Sequence, residues 1–283
     1  MIIVTWNIQW GLGADGRHDL ARLVAEAQRL ADFDVLCLQE VADNFADLKG
    51  SAGENGFAAV AALLPGYAAV EGVALDVPDR APGGGGRRKR FGNLLLSRLP
   101  VGQVIRHTLP WEQAMSRNMP RGLIEAVVEA PFGPVRMMTT HLEYSSDAIR
   151  RAQVAAIRDI HRSGCDRAAR GREAGPGTYM VHPGATSAVL TGDLNMKPGD
   201  PTRARLSAPI PGAPALRDAW EALNPGALHP LTSCVFDQSY MEPHCCDYVY
   251  VSEDLVPRLR KVWVDGANRA SDHQPVVVEF DDA

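Results

Sequence analysis

The sequence has few cysteines, and the five present, Cys37, Cys165, Cys234, Cys245 and Cys246, are an odd set without framework spacing. That pattern excludes a disulfide-stapled scaffold and fits reduced thiols in a cytoplasm. No run approaches the ~18 apolar residues of a membrane-spanning helix. The opening MIIVTWNIQWGL is apolar, but it lacks a basic leader and a small-residue cleavage site, and Asn7 and Gln9 interrupt it. A cytoplasmic protein is therefore expected. Positive charge is not in surplus either: the formal net charge of -5 argues against nucleic-acid binding by bulk electrostatics and leaves only a local basic groove. Internal repeats are missing, as is any linker long enough to divide the chain, so residues 1–283 are expected to form one domain.

What is there is a globular composition, 46% hydrophobic and 22% charged over 283 residues, enough for a substantial core. Short β-like runs recur: IIVTW, DVLCLQ, GNLLLS, LIEAVVE, VRMMTT, AVLTG, DYVYVS, RKVWV and PVVVEF. Several are separated by turns rather than helices, which points to antiparallel pairing. Helical periodicity marks DLARLVAEAQRLA, where Leu20, Leu23, Val24, Ala27 and Leu30 share a face, and SDAIRRAQVAAIRDIH, with Ser145 or Ser146 as its cap. Strands outnumber helices, yet each helix has one apolar stripe to bury. An α/β fold of two mixed sheets packed face to face, flanked by helices, satisfies both. Residues 76 to 90 and 162 to 186, rich in Gly, Pro and Arg, are expected as long loops.

Polar residues stand where the strands run out. Asn7 follows IIVTW, Glu40 follows VLCLQ, His141 follows VRMMTT, and Asp193 with Asn195 closes AVLTG; Asp272 and His273 precede the last strand. Ligands collect at the carboxyl ends of strands in α/β sheets, so these positions are candidates for one site. Singly, each has an ordinary explanation as a turn residue, a solvated charge or a backbone-bonded histidine. As a set their chemistry is coherent. Carboxylate and amide oxygens suit Mg²⁺ or Mn²⁺, histidines with acidic partners move protons, and the combination describes metal-assisted attack of water on phosphorus. On an extended strand end, Asp193 and Asn195 would leave the same face.

The segments TWNIQ, CLQEV, GNLLLSR, PRGLIEA, TTHLEY, LTGDLNMKP, CDYVYVS and SDHQPVVVEF occur in the order found in the endonuclease/exonuclease/phosphatase superfamily, which the sequence resembles over residues 4 to 280. Members include deoxyribonuclease I, exonuclease III type AP endonucleases, neutral sphingomyelinases and inositol polyphosphate 5-phosphatases. Eight short motifs in order are a strong signal where one is weak. The resemblance implies a four-layer sandwich like that of deoxyribonuclease I. It further implies that Glu40 is the main metal ligand, assisted by Asn7 and Asp272. Asp193 would orient or deprotonate the attacking water, and Asn195 would bond the phosphate or a metal-bound ligand. His273 would donate to a nonbridging oxygen. Asp247 matches the acid that orients a catalytic histidine, either His273 or His141, and Arg121 matches a basic position near the phosphate.

The implied activity is a divalent-metal-dependent phosphodiesterase, with nucleic acid as the leading substrate class and lipid or inositol phosphates behind it. A catalytically silent binding protein on the same fold is the non-enzymatic alternative, and the completeness of the chemical set argues against it. Departures narrow the branch: His141 stands where AP endonucleases usually have Tyr, and Lys89 and Arg90 stand where secreted deoxyribonucleases carry an acid. GGGGRRKR reads as a solvated loop or a phosphate track, and the loop is preferred because four glycines make the cluster costly to order. His244, Cys245 and Cys246 resemble half a zinc site. Without a second ligand pair, the cysteines are expected to pack beside the strand containing Asp247. The five tryptophans do not distinguish a base-stacking platform from core packing.

Overall fold

The computed structural model describes residues 1–81, 85–113, 118–170, 175–239 and 241–282. Strand β1 (Ile2–Asn7) leads through helix α1 (Leu20–Leu30) to β2 (Val35–Asp43), followed by α2 (Gly56–Leu63) and the hairpin of β3 (Ala68–Pro78) and β4 (Arg88–Ser97). A meander of β5 (Val101–Thr108), β6 (Gly122–Ala130) and β7 (Gly133–His141) leads through α3 (Asp147–Ala169) to β8 (Ala188–Asp193). The chain continues with α4 (Pro201–Ser207), β9 (Leu216–Asp218), α5 (Ala219–Leu223), β10 (Asp247–Ser252), β11 (Leu259–Val264) and β12 (Val276–Phe280).

Two six-stranded sheets result, in the orders β11-β12-β1-β2-β4-β3 and β5-β6-β7-β8-β10-β9. Among the described residues, β1 with β2 and β7 with β8 are parallel, and each pair is joined through a helix because parallel neighbours need a crossover. The other pairings are antiparallel. Alternation along the strands then builds three apolar layers. Ile3, Cys37 and Leu95 meet Ile124, Met137 and Val189 between the sheets. Trp6, Leu36 and Leu94 meet Leu23, Val24 and Phe57 on one outer face; Leu123, Met138 and Leu190 meet Val154 and Ile157 on the other. This is the four-layer α/β sandwich that the strand and helix patterns implied. Asp19 caps α1 by accepting from the Arg22 backbone N–H, and Ser146 rather than Ser145 caps α3 through the Ile149 N–H.

Two expected loops are corrected. Residues 76 to 78 and 88 to 90 are not loop but the paired ends of β3 and β4, with Asp76 opposite Arg90 and Pro78 opposite Arg88. Residues 82–84, which include the first two glycines of the run, and residues 171–174 of the second expected loop lie outside the described residues. Carboxylates hold the basic cluster in place: Arg88 bonds Asp76, Lys89 bonds Asp47, and Arg90 bonds Asp43 and Glu71. Residues 162 to 169 are the last two turns of α3. Gly164 there is no loop signal: a Cβ on it would lie 2.0 Å from Arg136 Nη1, so the helix needs glycine to pass over that guanidinium.

Candidate active site

The two parallel pairs deliver Glu40 of β2, His141 of β7 and Asp193 of β8 to one cavity. Glu40, Arg121, His141, Asp193, Asn195, Cys246, Asp272 and His273 are among the side chains that line a space of about 410 Å³. Register explains much of this, since His141 and Asp247 both lie opposite Asp193 on the neighbouring strands. Gly192, at φ 137°, lets β8 approach β7 there: a Cβ would sit 1.9 Å from the Thr140 carbonyl oxygen. Glu40 is re-aimed by a bulge, with a register shift between Leu38 and Val41 and a φ of 60°. That backbone conformation is uncommon for a non-glycine residue and is often seen where a side chain serves a site.

Asp193, 2% exposed, is the hub. The Asn7 Nδ2 group donates to Asp193 Oδ2 and to Glu40 Oε1, each at 3.0 Å. His141 Nε2 and His273 Nε2 lie 3.4 Å and 3.8 Å from Asp193 Oδ2. His273 Nδ1 donates to Asp247 Oδ2 at 2.8 Å, which answers which histidine Asp247 holds. The Trp6 indole N–H pins the His273 backbone carbonyl at 2.8 Å.

Two expectations about geometry change. Asp193 and Asn195 do not share an extended strand: β8 ends at Asp193, Asn195 has φ 49°, and its backbone N–H donates to Asp193 Oδ1 at 3.0 Å. The strand ends in an Asx turn, so the turn and the cavity use the same two residues. Asn7 presents its nitrogen to the carboxylates, while its Oδ1 accepts from the Gln9 N–H at 3.1 Å. It spaces Glu40 from Asp193 rather than facing the cavity with an oxygen.

Burial, reinforced by Asp272, pushes the Glu40 carboxyl up to about 7, against the Asn7 hydrogen bond. Burial also raises Asp272 and, with Asp247 beside it, Asp193. For His273, burial works against the charged ring, but the carboxylates of Asp247, Asp193 and Asp272 outweigh it and hold the ring well above the usual histidine range. His141 lies well below that range because it is buried beside the positive charges of Arg121 and His273. Arg121 is 7% exposed, and its Nε and Nη1 have no hydrogen-bond partner.

The cavity thus gathers more buried carboxylate than its cations neutralise, in oxygen-rich company. That donor set fits a hard divalent cation, with Glu40 and Asp272 as the carboxylates at its open side. Asp193, Cys246, Asp247 and His273 also bring donor atoms within 4.8 Å of one another, but thiol and imidazole suit softer ions. Sequence reasoning missed Gln9, whose Nε2 donates to Asp272 Oδ2 at 2.8 Å, and Ser271, whose hydroxyl ties the Asn7 carbonyl at 2.8 Å. It also missed Glu143, fully buried near Arg121. Gln9 and Ser271 each lie one or two residues from a residue that was found, which is the signal that could have exposed them.

A family model described as the endonuclease/exonuclease/phosphatase family matches residues 4–273. No curated protein matches the sequence. Among solved structures, an endonuclease/exonuclease/phosphatase from Beutenbergia cavernae is 23% identical, covers 98% of this chain and 70% of its own, and has a TM-score of 0.67. The human nocturnin catalytic domain is 18% identical, with coverages of 99% and 94% and a TM-score of 0.63. A Neisseria 3′ phosphatase, NExo, solved with a product DNA hairpin, is 20% identical over 99% of each chain, with a TM-score of 0.61. At such identities these likenesses speak for the fold, while the family match spans almost all of the sequence. The chain belongs to the endonuclease/exonuclease/phosphatase family of metal-dependent phosphoester hydrolases.

Proposed function

We propose that the protein is a phosphodiesterase of nucleic acid that uses Mg²⁺ or Mn²⁺ held by Glu40 and Asp272. The observation that carries this reading is the combination, in one cavity, of unneutralised carboxylates, an Asp247-held His273 and a buried Arg121 whose Nε and Nη1 make no hydrogen bond. When bound, the ion neutralises phosphate charge and makes water easier to deprotonate. Asp193 accepts a proton from the attacking water. His273, kept charged and oriented by Asp247, donates to a nonbridging oxygen as charge builds there. Arg121 offers its free N–H groups to the same anion, Asn195 contributes an amide at the rim, and neutral His141 holds Asp193 from the other side.

Two features support nucleic acid. The catalytic cavity shares Tyr144, Asn195, Met241 and His244 with a neighbouring groove of about 380 Å³ that Arg151 and Lys197 also line. Tyr144 is 54% exposed, and an open aromatic in a groove that also carries cations suits a nucleotide base and its phosphates. The Neisseria phosphatase of the same fold was solved with DNA. The five cysteines are all unpaired and buried, which supports work in a reducing compartment such as the cytoplasm.

The test is a substrate panel of single-stranded and duplex DNA, RNA, sphingomyelin, inositol phosphates and a chromogenic diester, each with Mg²⁺, Mn²⁺ or EDTA. Nucleic-acid hydrolysis that stops in EDTA is expected. Turnover of a lipid or inositol phosphate without nucleic-acid cleavage would replace the substrate class. Unchanged rates in EDTA would remove the metal from the mechanism.

A further inference from the structure

The Cys246 side chain meets the His273–Asp247 pair. Its Sγ lies 3.4 Å from Asp247 Oδ2 and 3.9 Å from His273 Nδ1, and those two atoms are 2.8 Å apart. A carboxylate oxygen of Asp193 joins the group, all four ligand atoms lying within 4.8 Å of one another. Tetrahedral zinc with bonds of 2.0–2.3 Å has ligand-to-ligand edges of roughly 3.3–3.8 Å; the two distances from Cys246 are close to that, the 2.8 Å hydrogen bond between His273 and Asp247 has to open to it, and one sulfur, one imidazole and two carboxylate oxygens form a donor set that zinc accepts. Two further observations point to a ligand. Asp247 is 3% exposed, yet its Oδ1 has no hydrogen-bond partner. Cys246, Asp193 and His273 line the open cavity, which gives an ion a way in.

We propose that Cys246, His273, Asp247 and Asp193 form a second metal site, selective for a thiophilic dication such as Zn²⁺, whose occupation switches the enzyme off. On binding, the thiol proton and the His273 Nδ1 proton leave to solvent, and the ion takes the sulfur and the ring nitrogen in their place. His273 then has no proton bridge to Asp247, and Asp193 is drawn away from water. The hard cation at Glu40 and Asp272 and the soft one at Cys246 are thus different sites with opposite effects. The inhibitory consequence rests on the mechanism proposed above, whereas the binding does not.

Co²⁺ is the probe, because a thiolate ligand gives it a sulfur-to-metal charge-transfer band in the near ultraviolet. In the full chain supplied with Mg²⁺, one Co²⁺ per chain should produce that band, and Zn²⁺ should abolish it while excess Mg²⁺ should not. Cys246→Ser and Cys246→Ala should lose the band and, measured against each variant's own Mg²⁺-dependent turnover of a chromogenic diester, raise the Zn²⁺ concentration for half-inhibition by about 100-fold or more, the upper end for losing a supporting residue at a metal site. Cys234→Ser should keep both band and inhibition. A wild-type protein without the band, a band that survives in both Cys246 variants, or Zn²⁺ inhibition that excess Mg²⁺ relieves would overturn the proposal. If no diester is hydrolysed at all, the cobalt band still decides whether the site exists.

Discussion

Glu125 and the carboxylates of the catalytic cavity meet burial in opposite ways. Under α3, Glu125 is 2% exposed and meets His107 Nε2 at 2.7 Å, Arg167 Nη2 at 2.6 Å and Arg136 Nη1 at 3.3 Å. Burial alone would raise its carboxyl, but the bond to His107 and the charges of Arg136 and Arg167 outweigh it and hold it below the usual range. In the catalytic cavity, burial wins, and Glu40, Asp193 and Asp272 are all raised. In one place the chain supplies its own cations; in the other it leaves room for them to arrive. Burial of a charge therefore says little by itself, and the presence or lack of a built-in counter-ion separates structure from function.

The contrast predicts opposite outcomes for near-isosteric changes. The largest effect is expected for Asp193→Asn, which preserves size but cannot accept a proton: kcat should fall by roughly 10²- to 10⁴-fold with an unchanged circular dichroism spectrum. A rate near wild type would remove Asp193 from the chemistry. Glu125→Gln should leave kcat alone and cost about 3 kcal/mol of stability in urea denaturation, since it strands Arg136 without its charge partner. Its pH dependence has a definite sign. A carboxyl lowered in the folded state contributes stability that is fully present above its unfolded value, here near 4.5, and is lost as pH falls through the folded one. Wild type should thus lose stability more steeply in acid than Glu125→Gln, and parallel curves would contradict the ion-pair account.

A smaller effect tests the open cavity. Mg²⁺ at ten times its dissociation constant should stabilise the wild-type protein by about 1.4 kcal/mol, seen as a rise in Tm, and Glu40→Gln should lose most of that rise at the same concentration. An equal rise in both would move the ion elsewhere. The smallest effect is expected at Arg88, whose pair with Asp76 is exposed on both sides. Arg88→Gln should change stability by less than about 1 kcal/mol and leave turnover of a small diester intact. A large loss there would make the basic hairpin part of the site after all.

How much of this was legible in the sequence depended on which interactions made each element. Strands with unbroken apolar runs, such as VLCLQ and AVLTG, declared themselves because both faces of a central strand are buried. Edge strands β3 and β5 did not, because AAVEGVALDVP and VGQVIRHT carry charges and small residues on their open sides. Strand-end polar residues pointed to the cavity as a set, because their chemistry was coherent although each alone has an ordinary explanation. The turn at Asn195 and the bulge at Glu40 were hidden, because each depends on a backbone conformation that neighbouring strands impose. The nearness of Cys246 to His273 was equally invisible: the residues are distant in sequence, and the HCC triplet drew attention to its immediate neighbours.

The position of β12 has a consequence for how the cavity is completed. It pairs with β1 on one side and β11 on the other, so β1 gains its second neighbour only when a strand far along the sequence returns to it. Asp272 and His273 arrive on the same late segment. Without that segment, Asn7, Glu40 and Asp193 lack both the antiparallel neighbour of β1 and the His273 imidazole that stands beside Asp193. Long-range pairing of this kind slows folding, and here the pairing that closes this sheet also brings Asp272 and His273 to the cavity.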